Sequence, residues 1–266
     1  MASSEMLQTV DGSRTWRGFG PLLAKENRAW WGKRRWLVQA ILWLAIVNGL
    51  LAMILFVMPR IMPADQQPAN NTEIVQNGLQ AFFGVGGMAL AIGVIILAQD
   101  AIIGEKQSGT AEWLLSKPVS RFAFWTSKLA AHALGALLIL VLLQGFVAYW
   151  QLSLFERLQP LAFLAGLGIL ALNTLFYLVL TLLMGVLVDS RGLVLAVSLG
   201  TLLAGSLLVN FEPLLYVTPW GLSNIAVATA AGMAVPAKLS VPIAVTAGWC
   251  LLFTAVALWR IRRLQF

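Results

Sequence analysis

The sequence has little charge, one cysteine and one histidine. Only 11% of its 266 residues are charged, whereas a soluble domain carries about 25% charged residues. A single cysteine, Cys250, excludes a disulfide framework within the chain. The single histidine, His132, has no neighbouring set of Cys, His, Asp or Glu with which to form a metal site. We therefore expect no metal centre, and we interpret both side chains as packing residues.

Apolar residues are abundant, at 59% of the chain. They fall in uncharged runs, and a helix needs about 20 such residues to cross a bilayer. We predict an all-α integral membrane protein with two parts. Residues 1–36 are a cytoplasmic tail and interfacial helix, and residues 37–266 are a single six-span membrane domain. The six predicted transmembrane helices are Leu37–Met58, Leu79–Ala98, Leu129–Trp150, Leu161–Val188, Leu193–Phe211 and Leu239–Trp259.

The positions of the basic residues predict how these helices are oriented. Cytoplasmic loops of membrane proteins carry an excess of Lys and Arg. With six spans, fifteen of the 18 Lys and Arg residues fall on the side that holds both termini. We expect that side to be the cytoplasm and the protein to lie in the cell (inner or plasma) membrane. The formal charge of +7 follows this bias, so we expect a lipid membrane, and no nucleic acid, beside the basic residues.

One further uncharged segment, Pro213–Ala237, is not counted as a span. A seventh span there would separate the C-terminal arginines from the other basic residues. The segment contains three prolines and two glycines, which predict a broken, re-entrant pair of short helices on the outer side before the last span. Non-helical backbone at that depth persists only where it packs in protein or lines a cavity. An ordinary external loop is the alternative.

The chain approaches the first span through a segment rich in tryptophan and basic residues, Phe19–Trp36. Tryptophan favours the headgroup region, and basic residues favour the cytoplasmic leaflet. We predict a helix that lies in the membrane interface before the chain enters the bilayer.

The loop between the second and third spans has the signals of a short helix. Gly109 can end the preceding helix, and Thr110 can cap a new one, with Glu112 in its first turn. Pro118 ends that helix within two turns, and Ser120 can cap the helix that leads into span three. The short helix would present Trp113, Leu114 and Leu115 on the cytoplasmic face, as a helix that docks into the groove of a partner does.

Over Gly104–Lys128 (GEKQSGTAEWLLSKPVSRFAFWTSK) the sequence resembles the signature of ABC-2-type permeases. That signature is an acidic residue, a Gly-Thr pair, a Glu, a Leu-Leu pair, then Pro-Val-Ser-Arg and a Lys. The chain is most similar to the small permeases typified by nitrous-oxide-reductase maturation and gliding-motility systems. The residues that fall on the pattern are Glu105, Gly109, Thr110, Glu112, Leu114, Leu115, Pro118, Val119, Ser120, Arg121 and Lys128.

The resemblance implies the membrane-spanning permease subunit of an ATP-driven exporter. Two permease copies, identical or homologous, would form the path between them, and two separate ABC ATPase subunits would bind on the cytoplasmic side. The helix over residues 109–116 would be the coupling helix that docks into an ATPase. The expected docking residues are Glu105, Gly109, Thr110, Glu112, Trp113, Leu114, Leu115, Pro118 and Arg121.

The chain itself has no nucleotide-binding motif. A P-loop needs a Lys directly after its second glycine, and GEKQSGT at Gly104–Thr110 has none there. We therefore expect that the chain is not an enzyme and binds no cofactor, and that ATP and Mg²⁺ bind the partner ATPase.

Polar residues inside the predicted spans are few. None of the spans has an acidic residue at its centre, which gradient-driven carriers usually keep. A carrier or channel, a membrane-embedded enzyme and a non-transporting assembly factor are the alternatives to the exporter. The amides are interpreted as interhelical hydrogen-bonding groups, and they are Asn48, Gln144, Asn173 and Asn210.

Overall fold

The computed structural model describes residues 14–208, 211, 214, 217–233 and 240–263, and these residues form helices with no strand among them. Within these residues, short 3-10 turns precede three of the helices, at Arg14–Trp16, Ala64–Gln66 and Pro219–Gly221. The helices are α1 Phe19–Trp31, α2 Arg35–Ile61, α3 Asn71–Gln107, α4 Thr110–Leu115, α5 Arg121–Ser153, α6 Pro160–Leu187, α7 Arg191–Leu208, α8 Leu222–Ala230 and α9 Ser240–Arg263.

Within the described part of the chain, five helices are long and apolar enough to cross a membrane, namely α2, α3, α5, α6 and α9. The prediction of an all-α architecture is therefore confirmed for these residues, and the long apolar helices are compatible with the predicted membrane protein. The remaining predicted span corresponds to α7, an 18-residue helix. Its apolar stretch, Arg191–Gly205, is shorter than those of the other five.

The helices extend beyond the uncharged runs from which they were predicted. The helix α3 has 37 residues, which at the helical rise is about 55 Å, and it starts eight residues before Leu79. Asn70 causes this early start, because its side chain accepts the backbone N–H of Glu73 at 2.9 Å and caps the helix. The polar loop before α3 is correspondingly shorter than the sequence indicated.

The helix α6 lies at the centre of the molecule and buries 72% of its most apolar stretch. It packs against α3, α7, α8 and α9. Phe163 near its start stacks on Phe82 of α3 with ring centroids 6.2 Å apart, and it makes a tilted contact with Phe83 at 5.6 Å. The fold therefore has one continuous apolar core arranged around one helix.

The segment predicted to be re-entrant contains one described helix, α8. Its apolar face, including Ile225 and Ala226, is buried against α6. A Cβ at Gly166 of α6 would lie only 2.9 Å from the Ala226 carbonyl oxygen, so the two backbones are in close contact. The second predicted short helix falls largely on residues outside the described part of the chain.

Two of the long helices keep apolar surface exposed. The helix α2 buries 28% of its most apolar stretch, and α9 buries 17%. Ile41 on α2 and Leu251 on α9 are 66% and 73% exposed. Such faces need lipid or another protein chain to cover them.

The amides inside the bundle bond to each other across helices, as predicted for Asn48 and Gln144. Asn48 of α2 donates to the side-chain oxygen of Gln144 of α5 at 2.8 Å. Gln144 is fully buried, and its own amide donates to the Ile139 carbonyl at 3.1 Å. Asn48 ends a π-helical turn of α2, Leu44–Asn48. Asn210 lies outside the described residues.

Candidate functional site

The short helix α4 lies where the sequence predicted it, between α3 and α5. Gly109 has a positive φ of 68°, a backbone conformation that glycine adopts without a steric penalty. The chain reverses there, and α4 starts at the next residue. Thr110 is consequently the first helical residue and not the cap, and its hydroxyl bonds to that of Ser108 at 2.8 Å. Ser120 does cap α5, since its side chain accepts the N–H of Ala123 at 2.9 Å.

The inner face of α4 packs on a small apolar cluster separate from the main core. Leu114 is 8% exposed and lies among Leu22 of α1 and Phe124 of α5. Leu114 is therefore not presented at the surface of the chain as predicted, because its side chain attaches α4 to the rest of the protein. The side chains of Glu112 and Leu115 lie outside the described part of the structure.

The outer face of α4 carries an exposed tryptophan. Trp113 is 59% exposed. The ammonium of Lys117 lies 3.4 Å from its ring centroid, within the range of a cation–π contact. Gly109 and Pro118, at the two ends of the helix, are also exposed. The site therefore presents one large aromatic side chain on a short helix whose inner face packs against the rest of the protein.

Lys128 lies at the base of α5, below α4, and is the most buried charge of the site, with 2% of its side chain exposed. Its ammonium is 2.8 Å from a carboxylate oxygen of Glu26 on α1. The same ammonium is 3.0 Å from a carboxylate oxygen of Glu105 on α3. One side chain therefore connects three helices.

Lys25 completes this ion-pair cluster, which we define as Lys25, Glu26, Glu105 and Lys128. Its ammonium pairs with Glu105 and lies 3.7 Å from Glu26. Both carboxylates are mostly buried, with 10% and 16% of their side chains exposed. Glu105, predicted to be a docking residue, is thus placed beneath the surface, where it pairs with two lysines.

Aromatic packing also attaches α1 to α5. The Trp30 indole covers Gly135 so closely that a Cβ there would lie 2.6 Å from the ring. The ring of His132 meets Trp30 edge-on at 5.5 Å, and its Nδ1 lies 3.0 Å from the Lys128 carbonyl. Because α1 buries these contacts, it is part of the helix assembly and not a free tail.

Two further ion pairs link α3 to the loop between α6 and α7 and to the first residue of α7. Lys106 donates to Asp189 at 2.9 Å and to the Val188 carbonyl at 2.9 Å. The hydrogen bond and charge of Lys106 lower the pKa of the exposed Asp189 carboxyl. Arg191 lies 2.7 Å from Asp100. Ion pairs therefore connect this end of α3 to α1 and α5 and, separately, to the start of α7.

Arg121, another predicted docking residue, makes contacts within the protein. Its guanidinium donates to the carbonyls of Ile261 and Arg262 at 3.0 and 2.8 Å. These carbonyls belong to the last turn of α9, where intrahelical partners are lacking. Arg121 therefore caps the last described helix, which the sequence signature alone did not indicate.

A cavity of about 1040 Å³ lies beside the ion-pair cluster, between α1 and the ends of α2, α3 and α5. Lys128, Glu105 and His132 form part of its wall. Among the described residues, no three His, Cys, Asp or Glu side chains come together as ligands for a metal ion. The charged side chains of this site are instead paired with each other.

A family model described as "Protein of unknown function (DUF2705)" matches residues 44–265. The chain belongs to the DUF2705 family. The match includes α4, Glu105 and Lys128, whereas Lys25 and Glu26 on α1 precede it. No curated protein matches the chain.

Sequence reasoning missed two members of the ion-pair cluster in this DUF2705 protein, Lys25 and Glu26. One signal was present, because Glu26 is the only acidic residue within Phe19–Trp36, among five basic ones. A lone acid in a basic helix can mark a buried ion pair. Its partner could not be identified without the fold, since Glu26 and Lys128 are 102 positions apart.

Proposed function

We propose that this protein is the membrane-spanning permease subunit of an ATP-driven exporter of the ABC-2 type. The observation that carries the proposal is α4, a six-residue helix on the segment that resembles the permease signature. It exposes Trp113 and is backed by a buried cluster. Tryptophan is among the residues that contribute most to protein interfaces. In the proposal, α4 is the coupling helix that docks into an ABC ATPase.

The contacts beneath α4 support a route by which docking could move the spans. The helix rests on α1 and on the start of α5, and the ion-pair cluster joins both of these to α3. A displacement of α4 would be transmitted to the long apolar helices α3 and α5 through packed side chains and ion pairs. Packed side chains and ion-pair networks with two discrete arrangements can carry coupling between distant sites.

The proposed arrangement in the membrane has six spans, with α7 as the fifth in chain order. Both termini and α4 then face the cytoplasm, in agreement with the positions of fifteen basic residues. The helix α1 lies in the interface, and the segment that contains α8 is re-entrant from the outer side. The location that follows is the cell membrane.

The proposed assembly contains two permease copies and two ATPase subunits. The exposed apolar faces of α2 and α9 offer surface on which a second copy, identical or homologous, can pack. The translocation path would lie between the two copies. In this proposal the chain is not an enzyme and binds no cofactor, since ATP and Mg²⁺ bind the ATPase subunits.

Co-purification tests the proposal directly. The full-length protein is isolated from native membranes in a mild detergent, and the associated proteins are identified by mass spectrometry. A soluble nucleotide-binding subunit in near-equal amount is the expected result. A preparation that retains other membrane complexes and yet contains no such subunit would rule out the exporter function and favour a carrier or an assembly factor.

A further inference from the structure

The cavity beside the ion-pair cluster is lined by both polar and apolar side chains. The polar lining includes the cluster and the residues where α1 ends and α2 begins, a part of the lining that we call the mouth. The apolar wall includes Trp36 and Val38 of α2 and Leu97 of α3. An amphipathic cavity at the end of membrane-spanning helices has the shape and chemistry that suit an amphipathic molecule.

The carboxylates in this cavity are already paired within the protein. Glu26 and Glu105 are neutralised by Lys25 and Lys128. Asp100 is paired with Arg191 at 2.7 Å. The acidic groups of the wall therefore leave no negative charge that would repel an anion.

Two arginines of the cavity remain without such partners. Arg34 and Arg35 line its mouth, are exposed, and have no acidic partner within the described part of the chain. No side chain caps the first turn of α2, so its first N–H groups lack an intrahelical acceptor beside these arginines. Gln39, one turn further along, adds an amide to the cavity wall. These groups together form a donor-rich, positively charged mouth.

The apolar wall continues directly into the surface that a bilayer would cover. Val38 is 60% exposed, and Ile41 lies one turn further along the same helix with 66% exposed. Ile96 of α3 is 48% exposed beside the cavity residue Leu97. A path along the protein surface from Arg34 and Arg35 past these side chains therefore leads from the cationic mouth onto an apolar surface.

We infer that this cavity binds one anionic phospholipid. Its phosphate lies on Arg34 and Arg35, and an acyl chain lies along Trp36, Val38 and Leu97. Basic pockets between transmembrane helices on the cytoplasmic side bind lipid head groups of this kind. The inference needs only the membrane location of the protein and does not depend on the exporter function.

Native mass spectrometry of the full-length protein in an uncharged detergent tests this site. Phosphatidylglycerol and phosphatidylcholine are offered together, and the wild-type protein should retain the anionic lipid preferentially. R34Q/R35Q should weaken phosphatidylglycerol binding by about 10- to 30-fold, since each basic residue near a lipid surface accounts for several-fold in affinity. R28Q/K33Q is the matched control, because it removes two exposed charges from the same stretch outside the cavity.

The control variant decides between a site and general electrostatic attraction. R28Q/K33Q should keep binding within about threefold of the wild type, a difference near 0.6 kcal/mol. Equal losses in the two variants, or no loss in either, would overturn the inference. Displacement of the lipid by soluble glycerol phosphate at similar concentration would also overturn it, because the site would then recognise an anion alone.

Photo-crosslinking of the wild-type protein gives a second measurement that needs no variant to fold. A phosphatidylglycerol with a diazirine on one acyl chain should label residues 36–42 and 96–101, which border the cavity. Labels spread over the exposed faces of α2 and α9 without enrichment there would contradict the assigned site.

Discussion

At the scale of single residues, Lys128 has the most demanding position in the molecule. It is almost fully buried, and two carboxylates on different helices lie within 3.0 Å of it. Removal of one partner from a buried ion pair leaves the other charge desolvated and uncompensated. Lys128 was found in the sequence as part of the loop signature, but its physical role is that of a counterion for Glu26 and Glu105.

Replacement of Lys128 by Met should destabilise the fold by about 3 kcal/mol, the lower part of the range for broken buried ion pairs, because both carboxylates keep some access to water. The denaturant midpoint of the detergent-solubilised protein measures this change. K33M is the control, since Lys33 is exposed and makes no ion pair within the described residues. A triple variant K128M/E26Q/E105Q should recover part of the loss, and a failure to recover any would contradict the electrostatic explanation.

Replacement of Gly109 by Ala should cost about 1 kcal/mol of stability, since a Cβ is disfavoured at its φ of 68°. No other atom lies within 4 Å of the added carbon, so the cost is that of the backbone conformation alone. G192A is the matched control, because Gly192 is helical, equally open and not followed by proline, and alanine there should be neutral or stabilising. The thermal unfolding midpoint should fall in G109A and stay or rise in G192A, and equal midpoints would contradict the role assigned to Gly109.

At the scale of elements, α1 and α4 form a unit with the start of α5. Leu22, Leu114 and Phe124 contribute one apolar cluster from three helices. The sequence predicted a helix at each of these places, and the structure contains all three. It did not predict that they would pack together, because side chains almost a hundred positions apart meet only through the tertiary fold. This is why Leu114, interpreted as a docking residue, is buried within the chain.

Replacement of Trp113 by Ala should leave folding unchanged and remove most of the affinity for an ATPase partner. The side chain is 59% exposed, and exposed substitutions usually change stability by less than about 0.5 kcal/mol. Aromatic anchors at interfaces contribute about 2 kcal/mol or more, roughly a 30-fold change in affinity. Recovery of the ATPase subunit with the tagged protein measures this loss.

The control for Trp113 is another exposed tryptophan at the far end of α5. Trp150 is 63% exposed, and W150A should recover the ATPase as well as the wild type does. If W113A and W150A recover equal amounts, α4 is not the docking helix.

At the scale of the whole molecule, the arrangement of spans depends on α7. Among the described residues, five helices have the length and apolarity to cross a membrane, and an odd number of spans would put the termini on opposite sides. If α7 also crosses the membrane, the number of spans is even. Its 18 residues correspond to about 27 Å, which is close to the thickness of a bilayer core. Its first residue, Arg191, pairs with Asp100 at the end of the bundle that holds α4.

Cysteine labelling in intact cells should establish the number of spans. In a C250A background, which removes the sole cysteine, single cysteines replace Lys33, Arg157 or Arg263. We expect an impermeant maleimide to label the Arg157 position from outside and to reach the other two only after permeabilisation. External labelling at Arg263 would show that α7 does not cross and that five spans are present.

The sequence by itself determined the class of the protein and the position of most helices. Uncharged runs of about 20 residues have few alternatives to a membrane-spanning helix, because every backbone polar group must be paired within the segment. Local signals were sufficient for the turn at Gly109 and the cap at Ser120, since each acts within four residues. These features depend on the residue itself and its immediate neighbours.

Only the tertiary structure decided which charges are buried together and which surfaces remain open. Glu26, Glu105 and Lys128 come from three helices, and their burial depends on how those helices pack. The same packing leaves Arg34 and Arg35 beside a cavity without an acidic partner in the described part of the chain, and it turns Arg121 toward the end of α9. The physical reason is that a charge tolerates burial only beside its counterion, and the identity of that counterion is a property of distances in space and not of positions along the chain.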